Sequence, residues 1–145
     1  MTPWRKLARL TRNEQALLLR AGAILAAIRI ALWVLPWSSL IHLLRKRRFN
    51  PGYAKFAPIR LAWAVRNASR VIPGATCLTQ ALGLHYFLSR CGHPSRVEIG
   101  VAKNEESGFQ AHAWVESNGA ILLDPYRKVA LYSRLLTLEV APRNY

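Results

Sequence analysis

The chain has 145 residues, the size of one ordinary domain around one hydrophobic core with room for an appended helical arm, so a multidomain assembly is not expected. Hydrophobic residues make up 52% and charged residues 19%, so the formal net charge of +14 does not come from a disordered basic tail. Residues 1–76 hold 14 Lys or Arg against the single acid Glu14, a net of +13, while residues 77–145 hold 7 bases and 6 acids.

The basic half suits nucleic acid, an anionic membrane surface or an acidic protein partner, and charge alone does not choose among them. No cleavable signal sequence opens the chain, and two cysteines allow one disulfide at most, so a reducing, cytoplasmic setting is expected. If Cys77 and Cys91 bracket one helix, about 21 Å of rise separates them and both thiols stay free.

Thr11 or Asn13 can cap a first helix whose opening turn holds Glu14 and whose end is marked by Pro36. The apolar stretch from Ala16 to Leu44 is interrupted by Arg20, Arg29 and Pro36, and its longest uncharged run, Ile30 to Leu44, is 15 residues. A spanning helix needs about 20. The stretch is therefore read as a buried or partner-covered helix, with peripheral membrane contact as the alternative. A second helix is expected over Ser38 to Arg47, followed by the basic run Arg45-Lys46-Arg47-Arg48 and an Asn50-Pro51-Gly52 turn. A third spans about Pro58 to Arg70, with Ile59, Ala62, Trp63 and Arg66 at loosely helical spacing.

Residues 71–76 form a punctuated loop, after which CLTQALGLHYFLSR reads as a helix with an apolar stripe of Leu78, Ala81, Leu82, His85 and Leu88. Strands then follow at Ser95 to Ala102, Phe109 to Glu116 and Ala120 to Leu123. The expected fold class is α+β, with a basic, apolar helical region over 1–70 and a core over 71–145 in which a nucleophile-bearing helix packs on an antiparallel sheet.

Cys77 stands at a helix N-terminus, where unpaired N–H groups and the helix dipole favour a thiolate. Cys91, at the other end, is assigned to packing. A cysteine nucleophile needs an imidazole base and a group that orients it. Strand alternation puts Gln110, His112, Trp114 and Glu116 on one face. A three-residue Ser117-Asn118-Gly119 loop would set Asp124 opposite His112, whereas a two-residue Asn118-Gly119 turn would oppose His112 with Pro125. The first is favoured because Asp124 is the only aspartate and ends an apolar strand. Glu116 is a competing orienter, but about 13 Å along the same strand from His112. His42, His85 and His93 are read as structural, and no Cys or His pair has zinc-site spacing, so no metal or cofactor is implied.

The segments CLTQALGLHYFLSRCG, RVEIGVAKN and FQAHAWVESNGAILLD together resemble the transglutaminase-like, papain-related fold family and, within it, the lasso-peptide maturation proteases. The resemblance covers about Cys77 to Asp124. It implies a cysteine peptidase that removes the leader from a ribosomally made precursor peptide, with Cys77 as nucleophile, His112 as base and acid and Asp124 as imidazole orienter. The Cys77 backbone N–H and Gln80 are the oxyanion candidates, and Trp114 a pocket wall. Nothing in the first 70 residues reads as the family's precursor-recognition domain, which implies the split form working with a separate recognition protein and with the macrolactam-forming cyclase.

Rival readings are acyl transfer to an amine through the same thioester, and a non-catalytic membrane or nucleic-acid-binding module. No nucleic-acid partner is expected, because Trp33, Trp37 and Trp63 fall in apolar stretches that favour core packing.

Overall fold

A computed structural model of the chain describes residues 8–45, 56–106, 108–123 and 130–139. Helix α1 covers Arg12–Val34. The Thr11 hydroxyl accepts the Glu14 N–H at 3.3 Å and the Glu14 carboxylate accepts the Thr11 N–H at 3.0 Å, a reciprocal box that satisfies two orphan donors. The helix stops at Leu35, ahead of Pro36.

Leu17, Ala21, Leu25 and Ile28 form the buried stripe of α1, spaced by four and three residues so that they share one face. Burial within the chain is confined to that stripe, and Leu19, Ile30, Trp33 and Val34 on the rest of the helix are exposed. Trp33 is 84% exposed and Trp37 40%, so neither packs in the core as its apolar surroundings suggested. Helix α1 has 23 residues, and an 18-residue window within it reaches a mean hydropathy of 2.0, so it is long and apolar enough to cross a membrane by length and composition, a test that core helices also pass.

Helix α2, Trp37–Arg45, buries Leu40, Ile41 and Leu44. The basic residues Lys46, Arg47 and Arg48 and the Asn50-Pro51-Gly52 turn lie outside the described residues. Helix α3, Pro58–Ser69, starts on a proline whose fixed φ is pre-set for a first turn. Its buried face is Leu61, Ala62, Ala64, Val65 and Ala68, displaced from the expected stripe so that Ile59 is exposed. The Arg60 guanidinium pairs with Glu14 of α1 and lies 5.2 Å from the Trp63 ring centroid.

Helix α4, Cys77–Arg90, is buried on more than one stripe: Thr79, Gly83, Leu84 and Phe87 join Ala81, Leu82, His85 and Leu88. The reason is its place in the fold. It packs against α1 and α3 on one side and against β1 and β2 on the other. Buried residues of all four helices and of the sheet form one hydrophobic cluster.

The sheet has the order β3-β2-β1-β4, with β1 at Arg96–Asn104, β2 at Gly108–Ser117, β3 at Ala120–Leu122 and β4 at Ser133–Glu139. Its described pairs are antiparallel. Strand β4 was not expected from the sequence. It pairs with β1 through a bulge between Ile99 and Gly100, where Ile99 opposes Leu136 and Gly100 opposes Arg134. Val97, Ala113 and Val115 join the helical core, so the sheet face bearing Glu98, His112, Trp114 and Glu116 is turned away from it.

Candidate active site

Residues Ile72-Pro73-Gly74-Ala75 make the turn that delivers the chain to α4: Gly74 has φ of 73°, and the Ala75 N–H donates to the Ile72 carbonyl at 3.3 Å. Proline at the second position and a positive-φ glycine at the third suit a type II turn. A Cβ on Gly74 would fall 2.7 Å from Arg29 Nε, so the Arg29 guanidinium of α1 lies directly over this turn. Thr76 caps α4, its hydroxyl accepting the Thr79 N–H at 3.4 Å.

Cys77 is therefore the first helical residue, half-buried at the edge of the core, with its N–H among those that lack an intrahelical acceptor. Gln80 points its side-chain amide back at the Ala75 carbonyl, 3.5 Å away. Cys91 is buried at the C-cap, where burial pushes its thiol up to about 11 against the opposing effect of Arg90. Both thiols are free.

His112 stands in the middle of β2, 8% exposed. Its ring stacks on Trp114, with centroids 6.3 Å apart and planes 20° apart, and Tyr132 lies 5.2 Å away on a third contact. Trp114 and Tyr132 also touch, at 6.3 Å, closing a trio of rings. Gly100 of β1 opposes His112 and leaves room for the indole: a Cβ there would meet Trp114 Cη2 at 2.9 Å and the Ser133 carbonyl at 2.8 Å. Trp114 is fully buried behind the imidazole.

Glu116, the competing orienter, is engaged elsewhere. Its Oε2 accepts from Arg96 Nε and Nη2 at 3.0 and 2.7 Å, and its Oε1 accepts from Arg134 Nη2 at 2.7 Å and Trp114 Nε1 at 3.3 Å. Burial would raise this carboxyl, but the hydrogen bonds of Arg96 and Trp114 and the charges of Arg134 and Arg96 outweigh it and hold the group below its ordinary value. Glu98, 1% exposed, accepts from the Thr137 hydroxyl at 2.7 Å and pairs with Arg96 at 3.3 Å and Arg134 at 3.7 Å. Sequence reading missed Arg96, Tyr132 and Arg134 as neighbours of the histidine face. Arg96 was legible, since it opposes Glu116 once the β1–β2 register is set.

The turn after β2 is the two-residue form: Ser117 pairs with Ala120, and Asn118 and Gly119 take φ of 51° and 79°. This corrects the favoured three-residue loop, because the Asn-Gly pair supplies both left-handed residues a type I′ turn needs. Strand β3 stops at Leu122, and Leu123 has φ of 77°, with its carbonyl accepting from Arg66 Nη2 of α3 at 3.0 Å. The positive φ turns the chain out of the strand, so ladder alternation assigns no face to residues beyond Leu123. Asp124 itself lies outside the described residues.

The remaining histidines have structural surroundings. His85 Nδ1 is 2.7 Å from Ser95 Oγ, and burial brings its pKa down to about 4; His93 Nε2 is 3.0 Å from the Phe56 carbonyl; His42 is exposed on α2.

No curated protein and no solved structure matches the chain significantly. A family model described as the transglutaminase-like superfamily matches residues 5–137, taking in the helical half as well as the sheet. That match covers most of the chain, whose capped helix start carries a free thiol at Cys77, and the chain belongs to this superfamily of cysteine-protease and acyltransferase folds.

Proposed function

We propose that this protein is a cysteine peptidase that removes the leader from a ribosomally made lasso-peptide precursor, with Cys77, His112 and Asp124 as its triad. The observation that carries the reading is Cys77 at the first position of a capped helix in a chain of the transglutaminase-like superfamily.

In the proposed reaction His112 takes the Cys77 proton as the sulfur attacks the carbonyl at the leader–core junction. The tetrahedral oxyanion is held by the Cys77 backbone N–H, with Gln80 as the second candidate donor. The carbon–nitrogen bond breaks, His112 gives its proton to the departing core amine, and the leader remains as a thioester. Water, deprotonated by His112, then attacks that thioester and releases the leader as a carboxylic acid and Cys77 as thiolate. Asp124 orients the imidazole. No metal or organic cofactor takes part.

A separate recognition protein presents the leader in this scheme, and the +13 first half of the chain docks that protein or draws in an acidic peptide. The liberated core passes to the cyclase. The protein works in the cytoplasm, and the exposed Trp33, Val34 and Trp37 give α1 and α2 an apolar end suited to contact with a membrane surface or partner. The acyltransferase chemistry of the superfamily supports a second outcome, capture of the thioester by an amine in place of water.

The test is intact-mass analysis of the precursor peptide after incubation with wild type or Cys77→Ala, with and without the recognition protein. Cleavage at one junction that vanishes in Cys77→Ala and rises with the partner supports the peptidase. An intact precursor in the presence of folded wild type and its partner overturns it, and a leader product heavier than the hydrolysed leader by an amine less one water identifies acyl transfer. Charge reversal at Arg45 to Arg48 should weaken partner binding at low salt, and unchanged affinity would remove that docking role.

A further inference from the structure

The His112 face of the sheet carries more buried polar machinery than a triad needs. Two carboxylates, Glu98 and Glu116, lie beside each other's arginines on that face at 1% and 8% exposure, and one of them reaches back to the ring that stacks on the imidazole. From this geometry we infer that Glu116 is a positioning residue for His112, acting through Trp114. The inference deepens the peptidase reading and, for its catalytic consequence, rests on it.

The chain of contacts is short and each link is directional. Arg96 and Arg134 grip the two oxygens of Glu116, which leaves Oε1 fixed to accept the indole N–H at 3.3 Å. That bond sets the rotation of the Trp114 ring about its own axis. With Gly100 clearing the space beneath, the indole lies within 20° of parallel to the His112 ring. Tyr132 tilts against the imidazole with ring centroids 5.2 Å apart, so the His112 ring is bounded by two aromatic neighbours. Strand β4 supplies both Arg134 and, from the residue before its start, Tyr132, which ties the docking of the last strand to the set of the histidine.

The test uses proton–carbon spectra of protein labelled in its histidine rings, with the His112 signal assigned from His112→Gln. In wild type the His112 ring protons should be displaced by the Trp114 and Tyr132 ring currents, and His85, buried against Ser95, serves as an internal marker of the intact core. Glu116→Gln and Arg134→Met should each move the His112 signal towards that of the exposed His42 or split it, with His85 unmoved. A stationary His112 signal in folded Glu116→Gln overturns the inference. Should that variant fail to fold, Arg134→Met decides, since Arg134 is 52% exposed and its loss is tolerable.

In the precursor assay the same variants should lose on the order of tenfold in kcat at unchanged KM, as expected for a misaligned base. Ring shifts as described in a protein with no peptidase activity remove the functional reading and leave the positioning role. Full activity with a stationary His112 signal removes the positioning role alone.

Discussion

Gly100→Ala places one methyl group where the sheet bulge and the histidine cluster meet. An ideal Cβ at this position falls 2.8 Å from the Ser133 carbonyl, 2.9 Å from Trp114 Cη2 and 3.0 Å from Trp114 Cζ3. The first neighbour is backbone of the paired strand and the other two belong to a fully buried ring, so none yields without moving either β4 or the indole. Overpacking of this kind costs about 1–3 kcal/mol, and the entropy lost from the unfolded chain returns about 0.4–1 kcal/mol, leaving a net loss of about 1–2 kcal/mol. Gly22→Ala is the matched control: Gly22 lies inside α1 with nothing within 4 Å of its would-be Cβ, so alanine should stabilise by about 0.5–1 kcal/mol. Urea unfolding of the three proteins measures both. Gly100→Ala should also move the His112 ring signal, whereas Gly22→Ala should not. A Gly100→Ala variant as stable as wild type, with an unmoved histidine signal, would refute the close packing of Trp114 across β1.

Three further outcomes rest on buried groups. His85 ionises near 6.5 when exposed but near 4 in the fold, because burial penalises the imidazolium; the unfolded chain therefore binds more protons across that window, and stability complete above pH 6.5 should fall by up to about 3 kcal/mol towards pH 4. Urea midpoints that stay flat from pH 7 to 4.5 would contradict this. Alkylation of the native protein should modify Cys77 first and leave Cys91 intact until unfolding, since Cys91 is buried and its thiol is pushed up to about 11; equal labelling read by peptide mass would oppose it. Leu25→Ala removes a fully buried side chain of α1 that sits against Gly83 of α4 and should cost about 2–5 kcal/mol; an unchanged urea midpoint would mean that α1 does not belong to this core.

The helical framework was legible because its punctuation is strong. Thr11 and Glu14 announce the start of α1, Pro36 its end, Pro58 the start of α3, and Cys77 to Arg90 ends at a glycine and a proline. Burial was less legible. A helix packed on two sides, as α4 is, buries residues such as Thr79 and Gly83 that no single stripe includes. On α1 the exposed Trp33 and Val34 are as apolar as the buried stripe, so composition could not separate the two faces. Strand β4 escaped because its bulge sets Leu135 and Leu136 side by side and breaks the two-residue alternation by which a half-buried strand is read. With β4 went Tyr132 and Arg134. On β2 the alternation worked as written, putting His112, Trp114 and Glu116 on one face. The turn after it was misjudged because the purpose imagined for Asp124 was weighed above the local geometry of Asn118-Gly119.

The acyl group proposed for Cys77 can be caught in acid-quenched mixtures of protein, precursor peptide and recognition protein, analysed by intact mass in the first turnovers. A transient adduct equal to the leader less one water is expected, mapped to Cys77, released by hydroxylamine and missing in Cys77→Ala. Release of the core with no adduct on Cys77, or an adduct on another residue, would contradict it.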